Sequence, residues 1–215
     1  MQVSAIKLEM SMGYDYSLPH IFKPRLPINA NSRFLRGGLN VGVAYGSNSI
    51  DMIDFTQPDQ HLIWQSTNDG VMGGISQGHL SFDGELSVFS GKLSLANNGG
   101  FSSVASKVNL LDPSIVAIEL DYIGDGREYQ LRFATKASGE TVRYKHDFST
   151  EKGQLQTHRF LLKDFQAVFR GRLLHNAPEL EAQHTEQIGF LIADKQAGPF
   201  ELKLIKVRFM TAKYH

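Results

Sequence analysis

The sequence has no cysteine among its 215 residues. This absence excludes disulfide bonds, thiolate catalysis and cysteine-ligated zinc or iron–sulfur centres, and it is typical of proteins in a reducing compartment. The chain also lacks an apolar run of the roughly 20 residues that a bilayer-spanning helix needs. Its N-terminus has no basic region followed by an apolar stretch. We therefore expect no membrane span.

The chain also lacks an excess of charge of either sign. Lys and Arg number 22, Asp and Glu also number 22, and the formal net charge is zero. No global field then favours nucleic acid or an anionic membrane, so we expect no nucleic-acid partner. The length fits one sizeable domain with one hydrophobic core.

Residues 1–51 differ in composition from the rest of the chain. They show no hydrophobic periodicity, and they hold three prolines and a Gly/Asn/Ser-rich tail. The charged residues are of both signs: Lys7, Lys23, Arg25, Arg33 and Arg36 against Glu9, Asp15 and Asp51. Three interpretations follow: a targeting presequence, a disordered extension, or a segment upstream of a true start at Met52. Acidic residues and prolines interrupt any basic amphipathic helix, so we predict an irregular or disordered extension over 1–51.

From Met52 onward, alternating hydrophobic segments are separated by turn dipeptides such as Asp83-Gly84 and Asp125-Gly126. Period-two alternation with one apolar face is typical of half-buried β-strands. No long amphipathic helix is visible, only a short helix around 177–184, which disfavours βαβ folds. The pattern predicts an all-β, jelly-roll β-sandwich over 52–215. About nine strands are expected, at 79–83, 86–90, 101–108, 115–123, 129–135, 141–149, 154–162, 187–193 and 200–210.

The stretch 64–76 is the most informative part of the sequence. It places Trp64, Asn68 and Asp69 before a glycine-rich segment that includes Gly73 and Gly74. Glycine permits left-handed backbone and close approach, and Asn and Asp hydrogen-bond local backbone, so the segment predicts a shaped surface loop. Trp64, as the only tryptophan, fits core packing better than a sugar-stacking platform.

Residues 74–78 also match the G-x-S-x-G nucleophile elbow, which would make Ser76 the nucleophile of a hydrolase. The elbow requires a helix after the serine, whereas an alternating strand follows here. We therefore predict no catalytic residue and interpret the motif as a turn.

Metal ligands are not indicated by spacing. The eight histidines show no H-x-x-x-H or H-E-x-x-H pattern. Four aspartates could contribute oxygen ligands to a calcium ion, although turn formation is the favoured interpretation: Asp69, Asp121, Asp125 and Asp147. We expect neither a metal nor a cofactor.

A second group lies further along the chain. Arg170, Gly171 and Arg172 follow two aromatics, Phe165 and Phe169. Arginine recognises carboxylates or phosphates in a bidentate manner, so these arginines could anchor a partner or ligand. Alternatively, the aromatics belong to the core and the arginines tie loops to carboxylates.

Taken together, these motifs resemble the complex I intermediate-associated protein 30 family. The resemblance covers about 53–209 and rests on separated motifs in register: Trp64 with 68–76, then 99–103, then Phe165 with 169–172, and finally 188–200. It implies a galactose-binding-like jelly roll akin to carbohydrate-binding modules. It also implies a role like that of mitochondrial members, which are non-catalytic assembly factors for NADH:ubiquinone oxidoreductase.

Three functions follow from this resemblance and from the residues. The first is a protein-binding, chaperone-like assembly factor for complex I or a related membrane complex. The second is a carbohydrate or small-molecule module, with Phe101, Tyr122, Tyr129 and Tyr144 as aromatics that could contact sugar, and the third is an enzyme. A start at Met52 resembles bacterial members and implies a cytoplasmic location, with the mitochondrial matrix as the alternative. The predicted binding residues are Trp64, Asn68, Asp69, Met72, Gly73, Gly74, Ser76, Gly100, Phe101, Arg170, Gly171 and Arg172.

Overall fold

Two β-sheets make up the computed structural model, which describes residues 52–109, 111–137, 140–169 and 171–212. The predicted extension over 1–51 and Arg170 lie outside the described residues. Thirteen strands are present in the described part, and none of its helices is an α-helix. They are β1 (Met52–Asp54), β2 (Gln65–Asn68), β3 (Gln77–Phe82), β4 (Ser87–Leu93), β5 (Ser102–Lys107), β6 (Ile115–Ile123), β7 (Glu128–Ala137), β8 (Glu140–Ser149), β9 (Leu155–Leu161), β10 (Gln166–Phe169), β11 (Arg172–Leu173), β12 (Thr185–Ile192) and β13 (Gly198–Thr211).

The strands pair in two antiparallel sheets. The six-stranded sheet has the order β3-β4-β13-β6-β9, with β1 also paired to β13. The seven-stranded sheet has the order β11-β10-β8-β7-β12-β5-β2. Neighbours in these orders are mostly distant in sequence, which confirms the predicted jelly-roll sandwich.

All nine predicted strands are present, within a few residues of the expected bounds. Four further strands, β1, β2, β10 and β11, escape prediction because segments of two to four residues are too short to show alternation. The predicted short helix over 177–184 is wrong in extent, since only Ala182–His184 forms a single 3-10 turn.

The inward faces of both sheets form one apolar core. Along β13, Leu202, Leu204 and Val207 are fully buried. These buried residues are two positions apart from Leu202 to Leu204 but three positions apart from Leu204 to Val207. The change coincides with a shift in the β13–β6 register between Leu204 and Lys206. A bulge of this kind inserts one residue and bends the strand, so the next buried residue comes one position later.

Two histidines from opposite sheets meet at the edge of this core. The rings of His146 on β8 and His158 on β9 lie 6.1 Å apart, and the His158 ring lies 4.3 Å from that of Phe160. Burial, and then the neighbouring His146, lower the pKa of His158 below its ordinary value. The folded protein therefore holds this imidazole neutral under conditions in which the unfolded chain begins to protonate it.

We expect this histidine to weaken the fold in acid. The unfolded state binds the extra proton as the pH falls below about 6.5, so the free energy of unfolding decreases with falling pH through that range. A His158→Phe variant, which keeps a ring among aromatics, should show a smaller decrease between pH 7 and pH 5 in urea unfolding. An unchanged pH slope in the variant would contradict this assignment.

Candidate functional site

A buried carboxylate organises the loop that follows β2. The strand ends at Asn68, and Asp69 begins a 3-10 turn over Asp69–Met72 with its side chain fully buried. Its Oδ1 accepts a hydrogen bond from the Ser76 N–H at 2.8 Å. Its Oδ2 accepts bonds from the Ser76 hydroxyl at 2.5 Å and from the Gly100 N–H at 2.6 Å, with the Phe101 N–H at 3.4 Å. This Asp69 clamp joins the two glycine-rich segments that the sequence singles out.

The electrostatics of the clamp favour the charged carboxylate. Burial acts to raise the pKa of Asp69, but the bonds from Ser76, Gly100 and Phe101 outweigh it and the pKa is lowered overall. Hydrogen bonds to the ionised form have this effect because they replace the water that burial removes. The clamp is therefore a fixed anion that holds three backbone N–H groups from two segments.

The glycines of the loop are required by the clamp. A Cβ added at Gly74 would lie 2.3 Å from Asp69 Cγ, and one added at Gly99 would lie 2.5 Å from Oδ2. Gly73 ends the 3-10 turn in the left-handed region, at φ 88°. Its carbonyl accepts a bond from the Asn97 side chain at 3.1 Å. Glycine is thus needed both for the turn and for close packing against the carboxylate.

The side chains of Asn68 and Ser76 also bind the loop to neighbouring segments. Asn68 accepts a bond from the Ser102 hydroxyl at 2.7 Å and donates to the Gly78 carbonyl at 3.2 Å. The Ser94 N–H donates to the Ser76 hydroxyl at 2.9 Å. The loop is therefore tied to β3, β5 and the segment after β4.

This geometry does not support Ser76 as a nucleophile. Its hydroxyl is buried, and its recorded hydrogen-bond partners are Asp69 and Ser94, so no imidazole of the described residues activates it. The segment after it is strand β3, whereas the nucleophile elbow requires a helix. Ser76 acts as a structural part of the clamp.

Above the clamp, the loop exposes apolar side chains. Val71, Met72 and Ile75 are 75%, 66% and 61% exposed. We call these three residues the apolar tip. Contiguous exposed apolar side chains are a feature of interaction surfaces. A loop that is already ordered loses less conformational entropy on binding than a flexible loop does.

Several predicted ligand-contacting aromatics lie in the core. Trp64 is buried against Phe55 and Phe190, with ring centroids 5.3 Å and 5.7 Å away. The aromatics considered for sugar contact, Tyr122, Tyr129 and Tyr144, are also buried, which corrects that expectation, and Phe101 is half-buried. Alternation in β6, β7 and β8 places the three tyrosine rings inward. Trp64 precedes β2 and packs in the core, as the sequence favoured.

The predicted arginine group does not join the loop in one face. Gly171 and Arg172 lie at the turn between β10 and β11, at the other edge of the seven-stranded sheet from β2. Six strand spacings separate these edges, or about 29 Å. The strand registers also place this turn at the opposite end of the sheet from Asn68. Among the described residues, the predicted binding residues therefore fall in two separate places, 68–76 with 100–101, and Gly171 with Arg172.

Sequence reasoning missed a buried ion pair, which lies at the end of the sandwich where β2 ends at Asn68. Arg127 donates from Nε to Asp194 Oδ2 at 2.8 Å and from Nη2 to Oδ1 at 2.6 Å, with side chains 10% and 3% exposed. Its Nη1 also donates to the Pro199 carbonyl at 2.8 Å. The pair joins the β6–β7 turn to the segment between β12 and β13.

Each of the other predicted oxygen ligands has a protein partner, although Asp147 Oδ1 is buried without a hydrogen bond among the described residues. Asp121 forms a bidentate pair with Arg208, at 2.5 Å and 2.9 Å. Asp125 accepts from the Arg127 N–H at 3.0 Å, and Asp147 accepts from Lys145 Nζ at 2.6 Å. In the part of the chain that the structure describes, no three His, Asp or Glu side chains are grouped to hold a metal. No helix in that part is long and apolar enough to cross a bilayer.

A shallow groove lies on the outward face of the seven-stranded sheet. Gly189, in the middle of β12, forms its floor, and the groove has a volume of about 120 Å³. Its walls come from β5, β7, β8 and β12, and include Ser103, Ala105, Arg132, Arg143, Gln187 and Leu191. We call this feature the Gly189 groove.

Solved structures with the same fold are carbohydrate-binding modules. A family 11 module from Clostridium thermocellum, in complex with a β-1,3-1,4-mixed-linked tetrasaccharide, has a TM-score of 0.56 and 13% identity, over 76% of this chain and 97% of that chain. The family 11 module of a cellulosomal cellulase from the same organism has a TM-score of 0.56 and 14% identity, over 76% of this chain and 96% of that chain. At this identity the likeness shows a shared sandwich fold.

Sequence comparison gives the family. No curated protein matched the sequence. The model of the family described as complex I intermediate-associated protein 30 matches residues 53–204, which include the Asp69 clamp, the apolar tip, the Gly189 groove and the Arg127–Asp194 pair. The chain therefore belongs to the complex I intermediate-associated protein 30 family.

Proposed function

We propose that this protein is a non-catalytic binding module that assists assembly of respiratory complex I or a related membrane complex. The observation that carries the proposal is the apolar tip, which a buried carboxylate holds in a fixed shape. A preformed apolar surface binds a partner at lower entropic cost than a mobile loop. Membership of the family supports an assembly intermediate as the partner.

The location follows from the same proposal. We place the protein in the cytoplasm of a bacterial-type cell, at the membrane where such complexes form. The mitochondrial matrix is the alternative location. Domain limits at 1–51 and 52–215 remain part of this proposal.

We expect replacement of two residues of the apolar tip to reduce capture of the partner strongly. A tagged Val71→Ser/Met72→Ser protein should recover at least ten-fold less of any respiratory-complex subunit than the unchanged protein after mild crosslinking in native cells. The readout is quantitative mass spectrometry of the purified material. The physical reason is loss of exposed apolar area at the centre of the contact.

A matched control is available on the 3-10 turn before β2. Leu62 and Ile63 are 68% and 60% exposed, close to the values at the tip. A Leu62→Ser/Ile63→Ser protein should capture the subunits normally. Equal capture by both variants would show that the tip is not the contact, and no subunits captured by the unchanged protein would overturn the assembly role.

Carbohydrate binding is the second candidate, because the fold is shared with carbohydrate-binding modules and the sheet face carries a groove. The aromatic side chains that line the groove, Phe133 and Phe190, are buried in the core and offer no exposed ring for stacking. Saturable binding of a neutral mixed-linked glucan, with amide shifts confined to the groove, would favour this candidate over the first.

A further inference from the structure

The Gly189 groove contains a guanidinium with unused donors. Leu131 and Phe133 point into the core, so Arg132 between them points to the outward face. It lies opposite Gly189 of β12 and Lys145 of β8. A Cβ at Gly189 would lie 2.7 Å from the Val104 carbonyl oxygen and 3.1 Å from Ala105 Cβ, so β12 and β5 approach closely here, and the guanidinium borders the groove floor that this glycine forms.

Among the described residues, Arg132 makes one hydrogen bond, which leaves most of its donors without a protein partner. This bond runs from Nη1 to Gln130 Oε1, at 2.7 Å. That partner is neutral, whereas a guanidinium carries five N–H donors in a planar fork. The nearby carboxylate of Asp147 pairs with Lys145 through Oδ2, with Nζ and Oδ2 2.6 Å apart, while its Oδ1 is buried without a hydrogen bond among the described residues.

The charges around Arg132 are unbalanced. Burial, and then the like charge of Arg143, lower the pKa of Arg132 below its ordinary value, and the nearby carboxylate of Asp147 opposes them without reversing the shift. Arg143 also lines the groove, and among the described residues it has no ion pair. An incoming carboxylate would relieve the repulsion between two guanidiniums and satisfy the free donors of Arg132.

We propose that the Gly189 groove binds an acidic side chain of the protein partner, with Arg132 as its anchor. This inference rests on the proposed protein-binding function and names a second contact for it. Ser103 lines the groove and pairs with Thr67 of β2, one residue before Asn68. The groove thus shares β5 with the clamp, because Gly100 and Phe101 directly precede that strand. A partner segment with an Asp or Glu in the groove lies within reach of the apolar tip.

An acidic peptide fits the groove better than a sugar does. Neutral sugars are commonly held by stacking on exposed aromatic rings, and the aromatic residues lining this groove are core residues. The groove instead offers bidentate donors to an oxyanion. A bound acidic oligosaccharide is the competing outcome of the test.

The test is an amide chemical-shift titration of the ¹⁵N-labelled full chain. The probes are acetylated Leu-Glu-Glu-Leu-amide, the same peptide with both Glu replaced by Gln, and trigalacturonate. We expect the Glu peptide to shift the Ser103 and Gly189 amides in a saturable manner, and the Gln peptide to bind at least ten-fold more weakly. Arg132→Gln should weaken binding of the Glu peptide ten-fold or more, because charge-assisted bonds are lost.

The control removes the same charge from the other sheet. Arg159 on β9 is 54% exposed and 4.0 Å from Glu119. Arg159→Gln should leave binding of the Glu peptide unchanged, and equal losses in the two variants would overturn the groove as a site. Saturable binding of trigalacturonate without binding of the Glu peptide would overturn the peptide as occupant.

The experiments can reject the groove as a partner contact without rejecting the assembly role, and they can also reject the assembly role alone. Subunit capture by the Arg132→Gln protein at the unchanged level would overturn the groove as a partner contact and leave the apolar tip intact. Binding of the Glu peptide at Gly189 by a protein that captures no subunits would support the groove and overturn the assembly role.

Discussion

Replacing Asp69 by asparagine is expected to lower the free energy of unfolding by about 3 kcal/mol or more. The carboxylate is fully buried and accepts bonds on both oxygens. An amide keeps the shape, but its NH2 group must face either the Ser76 N–H or the Gly100 N–H. One backbone donor then meets another donor at a position that is closed to solvent. Urea unfolding followed by fluorescence of Trp64 measures the loss.

The matched control is an aspartate in an exposed turn. Asp83 accepts bonds from the Glu85 and Leu86 N–H groups at 2.9 Å and 3.0 Å, with a side chain 35% exposed. Asp83→Asn should cost about 1 kcal/mol or less, because water can replace the lost bonds. A similar cost at both positions would contradict the assignment of Asp69 as a buried clamp.

The same carboxylate predicts a dependence on pH. The pKa of Asp69 is lowered in the folded protein, so the unfolded chain binds its proton first as the pH falls. The stabilisation is present above about pH 4 and is lost as the pH falls through the lower folded pKa. The Asn variant should therefore lose less stability between pH 4 and pH 2 than the unchanged protein.

Replacing Arg127 by methionine is expected to cost about 3 to 5 kcal/mol. Methionine fills similar space but leaves Asp194, which is 3% exposed, as a buried charge without its partner. The Pro199 carbonyl also loses its donor. Thermal unfolding of the full chain measures the cost, and the segment between β12 and β13 should lose hydrogen-exchange protection first.

Arg208 provides a comparison with a second bidentate pair at greater exposure. It donates from Nη1 and Nη2 to Asp121 and from Nε to Glu119 at 3.3 Å, and the side chains of Arg208 and Asp121 are 33% and 17% exposed. Arg208→Met should cost about 1 kcal/mol, since solvent screens the remaining carboxylate. Adding Asp194→Asn to the Arg127→Met protein should recover part of the loss, because the unpaired charge is removed. Equal costs for the two arginines would contradict the role given to burial.

The sequence predicts the sandwich well because strand alternation is a local property. The nine longer strands follow from period two, and the bulge in β13 is visible as the step from Leu204 to Val207. The short strands β10 and β11 form through pairing with each other and with β8, which is a tertiary effect.

The site is predicted in part. Asn68, Asp69 and the glycines identify a shaped loop, because left-handed backbone and close approach limit the residues allowed. The partners of Asp69 come from segments 7 and 31 residues away, and Arg127 meets Asp194 67 residues along the chain. Such distances carry no local pattern. From the sequence alone, Arg132 is an ordinary outward-facing residue of a strand. Only the pairing of β7 with β12 brings Gly189 next to it.

The most direct test of the central claim is photo-crosslinking from the apolar tip in living cells. A photoreactive phenylalanine analogue is placed at Met72 and, in a separate protein, at Leu155, which is 68% exposed on β9. Crosslinks from position 72 to a subunit of complex I or a related membrane complex, absent from position 155, are the predicted result. Position 72 yielding no protein crosslinks, or the same products as position 155, would contradict the account.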